Sequence, residues 1–354
     1  MKAKVRDFSG ESIYVGIDSH LKSWKVTVMS KELMLNSFSQ PPDSVQLSAY
    51  LKGHYPGADI HCVYEAGFAG FNIQRELSSA GINCMVIHPA DVPTSDKEKR
   101  RKSDSIDSGK LARGLKNGDF KALYVPTLEQ QQDRSLLRIY DRLTRDITRV
   151  KNRIKFFLMY FGEAIPVELQ GSNWSKDFIR YLDNFSPGGN GNLSFQALLS
   201  EYKMLNQQSA ILKKQIKELS EQPRYKTDAE LLKTIPGIGN LTSMILLTEI
   251  GDINRFVSIK ELSAYVGLIP NSHDSGETKR VGRITKRGNV FLKYILVEVS
   301  WMCIRFDASL LLAYKAATKK MEPNKAIVKV ARKLLNRIRF VLKNKEPYRI
   351  NQGL

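Results

Sequence analysis

Two apolar seams with heptad spacing constrain the middle of the chain to long, paired helices. In each seam, apolar residues recur at alternating steps of four and three, which is the repeat that a coiled coil buries. The first seam runs from Leu136 to Phe157, and the second runs from Leu198 to Leu219 with Ser209 as its polar exception. The pair predicts an antiparallel hairpin, a dimer interface, or both.

The segments on either side of the seams have other patterns. Residues 13–90 alternate short apolar runs with helical segments such as Ser44–His54, which predicts an α/β unit with a mixed sheet and a central first strand. The Gly-, Pro- and Asn-rich stretch 185–192 between the seams is predicted to be a loop. From Asp228 onward we expect a mostly α-helical domain, interrupted by a polar loop and ended by a basic helix. The predicted domains are residues 1–125, 126–225 and 226–354.

The chain is strongly basic, with 55 Lys and Arg against 36 Asp and Glu and a formal net charge of +19. This excess indicates a polyanionic partner, of which nucleic acid is the commonest. An anionic membrane is the competing choice, but the longest largely apolar stretch, Tyr294–Ile304, contains Glu298 and is too short for a span. The N-terminus lacks the apolar core of a secretory signal. A cytoplasmic protein without a membrane partner is therefore expected.

The chain has three scattered cysteines, Cys62, Cys84 and Cys303. No two of them are close enough in sequence to suggest a zinc cluster or a redox pair. We therefore predict that all three are buried thiols in the core.

Four carboxylates occur at the ends of predicted strands or at the start of a predicted helix, where they could bind a metal together. Asp18 in GIDSH ends the first strand, Glu65 in EAG ends a later strand, and Asp104 and Asp107 begin a helix in KSDSIDSGKLA. Singly, they have ordinary explanations as turn formers, surface charges or helix caps. Clustered carboxylates raise one another's pKa unless a cation offsets their charge. The set therefore predicts a two-Mg²⁺ site for phosphodiester cleavage or transfer.

Basic residues next to the acids are candidates for binding phosphate. The run between residues 97 and 102 is partly a solvated charge run, but it lies close in sequence to the predicted metal ligands. Its candidate nucleic-acid-binding residues are Lys99, Arg100, Arg101 and Lys102.

The motif IPGIG, at residues 235–239, resembles the turn of a helix-hairpin-helix motif. Gly237 and Gly239 would let backbone amides approach a DNA phosphate at the N-terminus of the next helix. Such a contact positions DNA without reading its sequence. The alternative is an ordinary Gly-rich turn between helices.

The polar loop HDSGETKRVGRITKRG contains Ser275. A serine near a phosphodiester can act as a nucleophile if a base or a metal activates its hydroxyl, although composition alone favours a turn residue. The basic residues that follow it are candidates for gripping the DNA backbone: Lys279, Arg280, Arg283, Lys286 and Arg287.

Taken together, these motifs resemble the DEDD transposases of bacterial insertion sequences, the IS110 family, which includes pilin-gene invertases. The C-terminal resemblance is carried by KTIPGIG, SAYVGLIP, HDSG and GRITKRGN. It implies an RNase H-like N-terminal domain similar to the RuvC junction resolvase, a coiled-coil middle and a C-terminal transposase domain. It also implies that Asp18, Glu65, Asp104 and Asp107 bind Mg²⁺, with Mn²⁺ as a substitute, and that Ser275 is the catalytic serine.

The resemblance also implies partners. Family members recombine element ends with target DNA, and some are guided by a structured RNA encoded beside the gene, so RNA is a candidate second partner. A homodimer or homotetramer would allow Ser275 of one protomer to face the acids of another. Two other hypotheses stay open: a structure-selective nuclease in which water attacks, and a non-catalytic nucleic-acid-binding protein.

Overall fold

The computed structural model describes residues 7–93, 104–171, 174–275, 278–285 and 287–350, with the backbone alone at 104, 105, 271–275 and 278–283. The chain divides into two compact units, Met1–Val125 and Pro126–Leu354.

The first unit contains a mixed five-stranded sheet in the order β3-β2-β1-β4-β5. Strand β1 pairs antiparallel with β2 and parallel with β4, so the predicted central position of the first strand is confirmed. The strands are β1 Ser12–Ser19, β2 Trp24–Met29, β3 Met34–Gln40, β4 Asp59–Glu65 and β5 Asn83–Ile87. The helices of this unit are α1 Ser44–His54, α2 Asn72–Ser79 and α3 Asp104–Asn117.

Helices pack on both faces of this sheet. Alternate residues of β1, among them Ile13, Val15 and Ile17, are fully buried and form a core with the apolar residues of α1 and α2, such as Leu47 and Leu77. The opposite face carries α3, whose Leu111 packs with apolar residues of β4 and β5. The α/β prediction for this unit is therefore confirmed.

The second unit begins with an antiparallel helical hairpin formed by α4 Leu128–Tyr160 and α6 Gly189–Ser220, with α5 Lys176–Asn184 between them. Near one end Leu137 shares a core with Leu219, and near the other Ile154 shares a core with Phe195. The two predicted seams therefore pair within one chain.

One expectation about this hairpin is correct in its first half only. The stretch 185–192 is predicted to be a loop; residues 185–188 form one, but α6 already begins at Gly189. The ring of Phe161 packs so closely on Gly191 that an added Cβ would lie 3.0 Å from it. This packing offsets the low helix propensity of glycine.

In the described part of the second unit, six further α-helices surround the largest core. They are α7 Pro223–Lys233, α8 Asn240–Ile250, α9 Ile259–Val266, α10 Val290–Phe306, α11 Ala308–Thr318 and α12 Pro323–Asn344. Between α9 and α10 lies an antiparallel β-hairpin, β6 Pro270–Ser275 and β7 Thr278–Ile284. The predicted loop at this position is therefore wrong: the two segments pair through their backbones, and backbone hydrogen bonds between strands do not require an apolar pattern.

All three cysteines are free and buried, as predicted. Burial raises the pKa of both Cys84 and Cys303 to about 12 and keeps these thiols protonated. None of the helices in the described part of the chain combines the length and the apolarity that crossing a bilayer requires.

Candidate active site and nucleic-acid-binding elements

Two of the predicted acids lie side by side at one edge of the first sheet. Ile17 of β1 pairs in register with Tyr64 of β4, and Asp18 and Glu65 are the next residue on each strand. Ile17 and Tyr64 are buried in the core beneath α1 and α2. Because side chains alternate along a strand, Asp18 and Glu65 belong to the opposite face, which carries α3.

Helix α3 lies directly on that face. A Cβ added to Gly16 would lie 2.1 Å from the carbonyl oxygen of Ser108, so the glycine is what allows this close approach. The Ser108 hydroxyl is 2.8 Å from the Thr27 hydroxyl of β2. One turn later, Leu111 packs with Val63, two residues before Glu65. The helix therefore crosses β2, β1 and β4 on the side that carries the acids.

The other two predicted acids belong to the N-terminal half of α3. Asp107 precedes Ser108 and is partly exposed, and its carboxylate lies 3.4 Å from the ammonium group of Lys110. Asp104 is the first residue of the helix, and its side chain lies outside the described residues. On the sheet, the Asp18 carboxylate lies 3.3 Å from Nε2 of His20. Cationic or hydrogen-bonding neighbours of this kind reduce the repulsion between carboxylates.

Within the residues whose side chains are described, no three His, Cys, Asp or Glu side chains converge closely enough to hold an ion. Asp18, Glu65 and Asp107 are among those residues. The fold thus puts two acids next to each other in the sheet and the helix with the other two on the same face, while the four-ligand set stays a prediction. Carboxylates are the donors that Mg²⁺ prefers, so the residue types fit the ion.

Ser275 ends strand β6 in the second unit. It pairs with Thr278 of β7 across the turn of the hairpin, and Lys279 and Arg280 pair with the two preceding residues of β6. The backbone therefore holds the serine and the basic residues close together in a ribbon; Arg283 lies further along β7.

The IPGIG motif forms a tight turn between α7 and α8. Gly237 has a φ of 85°, which favours glycine, and a Cβ there would lie 3.1 Å from Cβ of Met302 in α10. The Cys303 thiol donates a hydrogen bond of 2.8 Å to the Pro236 carbonyl. Gly239 is the N-cap of α8, and both glycines are exposed while the flanking Ile235 and Ile238 are buried. The turn is thus anchored on α10 with its glycine backbone at the surface.

Five of the candidate basic residues lie outside the described residues: Lys99, Arg100, Arg101, Lys102 and Lys286. Arg287 is exposed, and its backbone amide donates a hydrogen bond of 3.0 Å to the Thr285 hydroxyl.

A buried carboxylate in the second unit was not predicted. Glu249 of α8 has no exposed surface, and its two oxygens accept hydrogen bonds of 2.6 and 2.9 Å from Arg138 of α4. Asn289, the N-cap of α10, donates a third bond of 2.7 Å to it. The only signal in the sequence is a carboxylate within the apolar run MILLTEI, which does not reveal its partners.

Comparison with known proteins places both units in one family. A family model described as a transposase of the IS110 DEDD type matches residues 15–161, which include Asp18, Glu65, Asp104 and Asp107. A second, described as the transposase IS116/IS110/IS902 family, matches residues 229–315, which include the IPGIG turn and Ser275.

Individual relatives agree with these matches. The chain is 27% identical to the transposase for insertion sequence element IS1111A of Coxiella burnetii, over 82% of this chain and 80% of that protein. It is 29% identical to the transposase for insertion sequence element IS1533 of Leptospira borgpetersenii, over 68% of this chain and 70% of that protein. A shorter match, 31% identical over 36% of this chain and 40% of the other, links it to the pilin gene-inverting protein of Moraxella bovis.

These matches cover the sheet edge with Asp18 and Glu65, the helix α3 packed on it, and the hairpin with Ser275. The chain therefore belongs to the IS110 family of DEDD transposases.

Proposed function

We propose that this chain cleaves and exchanges DNA strands as a transposase or site-specific recombinase, with an RNase H-like domain of the RuvC type holding divalent metal. The observation that carries the proposal is the adjacent pair Asp18 and Glu65 on the sheet face that α3 covers. Asp104 and Asp107 at the start of α3 complete the proposed ligand set.

Carboxylates grouped in this way need a counter-charge, and Mg²⁺, or Mn²⁺ in its place, fits their oxygen donors. A bound metal pair would polarise the scissile phosphate and stabilise the leaving oxygen. Asp18, Glu65, Asp104 and Asp107 would hold and orient the ions, and Lys110 beside Asp107 would limit the local negative charge.

Ser275 is the proposed nucleophile. Its Oγ would lose a proton and form a bond to phosphorus, while the bond from phosphorus to the leaving oxygen of the strand breaks and that oxygen gains a proton. Lys279, Arg280 and Arg283 of β7, with Lys286 and Arg287 beyond it, would grip the flanking phosphates. The exposed glycine backbone at Gly237 and Gly239 would contact a further phosphate in the manner of a helix-hairpin-helix turn.

The experiment that tests this function is recombination from a plasmid that carries the gene with its native flanking DNA, with new junctions detected by amplification. Asp104→Asn and Ser275→Ala should each abolish junctions while DNA binding persists. Asp119→Asn, an exposed acid of the same unit, and Ser272→Ala, in the same strand as Ser275, are the matched controls and should keep them.

The pattern of loss separates the competing hypotheses. If Asp104→Asn alone loses junctions, water or another hydroxyl is the nucleophile and the enzyme is a nuclease of the junction-resolvase type. If neither variant loses any activity, the protein is a non-catalytic nucleic-acid-binding protein. A covalent protein–DNA intermediate that disappears in Ser275→Ala would identify the serine directly.

We also propose that the enzyme acts as a homodimer or homotetramer in which Ser275 of one protomer serves the acids of its partner. The support is the presence of the two sets of candidate residues on separate compact units. Mixing Ser275→Ala protein with Asp104→Asn protein should restore junctions, because one composite site in the mixture keeps both groups. No recovery at any mixing ratio would contradict this arrangement.

A guide RNA encoded beside the gene is the remaining proposed partner, and the basic composition supports a polyanion of either kind. Removing the flanking non-coding DNA from the plasmid, while supplying the element ends separately, should abolish junctions, and a transcript of that DNA should restore them. Unchanged recombination without the transcript would exclude guidance by such an RNA.

A further inference from the structure

A basic groove lies between α4 and α10, and none of the proposed catalytic residues lines it. It encloses about 550 Å³ and is lined by Arg138, Arg142 and Arg145 on α4 and by Phe291 and Tyr294 on α10. Spacings of four and three put the arginines on one side of their helix. Sites that enclose a small molecule or a nucleotide commonly span about 300–1,000 Å³, so the groove has the capacity for one nucleotide.

The walls of the groove are fixed by the buried carboxylate of Glu249. It binds Arg138 through two hydrogen bonds, and it accepts a third from Asn289. The Asn289 side chain also caps α10 by accepting a hydrogen bond of 3.0 Å from the amide of Leu292. One carboxylate therefore sets the positions of an arginine on α4 and of the first turn of α10. Such a site binds with little reorganisation.

The groove carries a net positive charge. Of the three guanidinium groups that line it, Arg138 is paired with Glu249 and Arg145 lies 2.8 Å from Asp141, so Arg142 leaves the excess positive charge. The side chains of Arg138 and Arg145 are 49% and 55% exposed, so both can still reach a ligand. Arg142 is exposed as well. Planar guanidinium groups match the geometry of phosphate oxygens and bind them in pairs.

An aromatic surface completes the groove. The ring of Tyr294 is half exposed, and the guanidinium carbon of Arg145 lies 5.7 Å from its centroid. Proteins that bind single-stranded nucleic acid combine basic residues along the backbone with aromatic rings on which bases stack. Bases in a duplex are already stacked on one another and do not offer a free face to a side chain.

From this combination we infer that the groove binds one unpaired nucleotide of a single-stranded DNA or RNA segment. The phosphate lies among Arg138, Arg142 and Arg145, and the base stacks on Tyr294. This binding site belongs to the second unit and does not depend on the four acids or on Ser275. The result of a binding experiment on this groove therefore does not depend on whether the proposed cleavage mechanism is correct.

The test measures binding of a fluorescent oligothymidylate of about 12 nucleotides to the full-length protein in EDTA, which removes any contribution from a metal site. The double variant Arg142→Gln/Arg145→Gln is compared with Arg149→Gln/Arg180→Gln. Both remove two exposed arginines that lie outside the core, but Arg149 and Arg180 each pair with an acid of their own helix away from the groove. The two double variants therefore have the same net charge.

The groove variant should bind at least tenfold more weakly, and its salt slope should fall by about 0.7, because the contact with one phosphate of a single strand is lost. The control double variant should stay close to the wild-type affinity. Equal losses in both double variants would overturn the inference, since they would report net charge alone.

The stacking step has its own comparison. Tyr294→Ala should weaken oligothymidylate binding by roughly fivefold to a hundredfold, while Tyr294→Phe and the exposed-ring control Tyr160→Ala bind normally. The same variants should bind a blunt duplex like the wild type. If Tyr294→Ala has no effect on the single strand, or an equal effect on the duplex, the inference is wrong. Tighter binding of oligouridylate than of oligodeoxyuridylate, which differ only in the 2′-hydroxyl, would identify the strand as RNA, and the reverse order would identify it as DNA.

Discussion

At the scale of single residues, the second unit depends on a charge that the sequence pattern does not reveal. Glu249 is fully buried and is satisfied by Arg138 and Asn289. Removing the carboxylate leaves the Asn289 amide without its acceptor and the largely buried Arg134, 3.7 Å away, without its counter-charge, at a cost of about 1–3 kcal/mol. Arg138 is half exposed and stays solvated. We therefore expect Glu249→Ala to lower the free energy of unfolding by that amount, measured by urea denaturation of the full-length protein.

The matched control is Glu230→Ala, which removes an exposed glutamate paired with Lys233 on its own helix. Exposed pairs contribute roughly 0–1 kcal/mol, so this variant should unfold almost like the wild type. Similar losses in the two variants would show that Glu249 is not the anchor that its burial indicates. No heptad or motif analysis pairs residue 138 with residue 249, because their contact depends on how α4 packs against α8.

At the scale of elements, the contact between α3 and β1 decides whether the four acids can meet. Only a residue without a Cβ fits at Gly16, because the carbonyl of Ser108 would lie 2.1 Å from that atom. Gly16→Ala should displace α3 at a cost of about 1–3 kcal/mol and should abolish recombination. Gly53→Ala is the control, since an added Cβ there meets nothing within 4 Å; it should be stable and active. An active, stable Gly16→Ala enzyme would contradict the proposed coupling of α3 to the acids.

Local patterns predicted most elements of the fold, and tertiary contacts decided the rest. The strands follow from short apolar runs, α1 follows from Leu47 and Leu51 one helical turn apart, and the antiparallel pair α4 and α6 is one of the arrangements that the seams allow. The misses lie where local signals are weak or misleading. Gly191 lies in the first turn of a helix where the ring of Phe161 packs on it, and a polar stretch around Ser275 forms a ribbon through backbone pairing. Of the site, Asp18 and Glu65 could be predicted as neighbours, because parallel strands end at one edge.

At the scale of the whole molecule, the excess of positive charge is the property that most affects DNA binding. Helix α12 illustrates its distribution: Ile327, Leu334 and Ile338 are buried in the core, whereas Lys329 and Arg332 are exposed. Such a molecule binds DNA by displacing counterions from phosphates. The net charge of +19 is therefore expected to make affinity depend steeply on salt.

The measurement is the dissociation constant for a duplex of the native flanking DNA, at salt concentrations between about 50 and 200 mM and in EDTA. With roughly six to ten phosphates contacted, affinity should fall by about 10³–10⁵ over this range. Asp104→Asn should give the same slope, since its change lies in the proposed catalytic set and metal is absent. An affinity that is insensitive to salt would contradict the assignment of the basic residues to DNA phosphates. It would do so independently of whether the acids and Ser275 perform the chemistry.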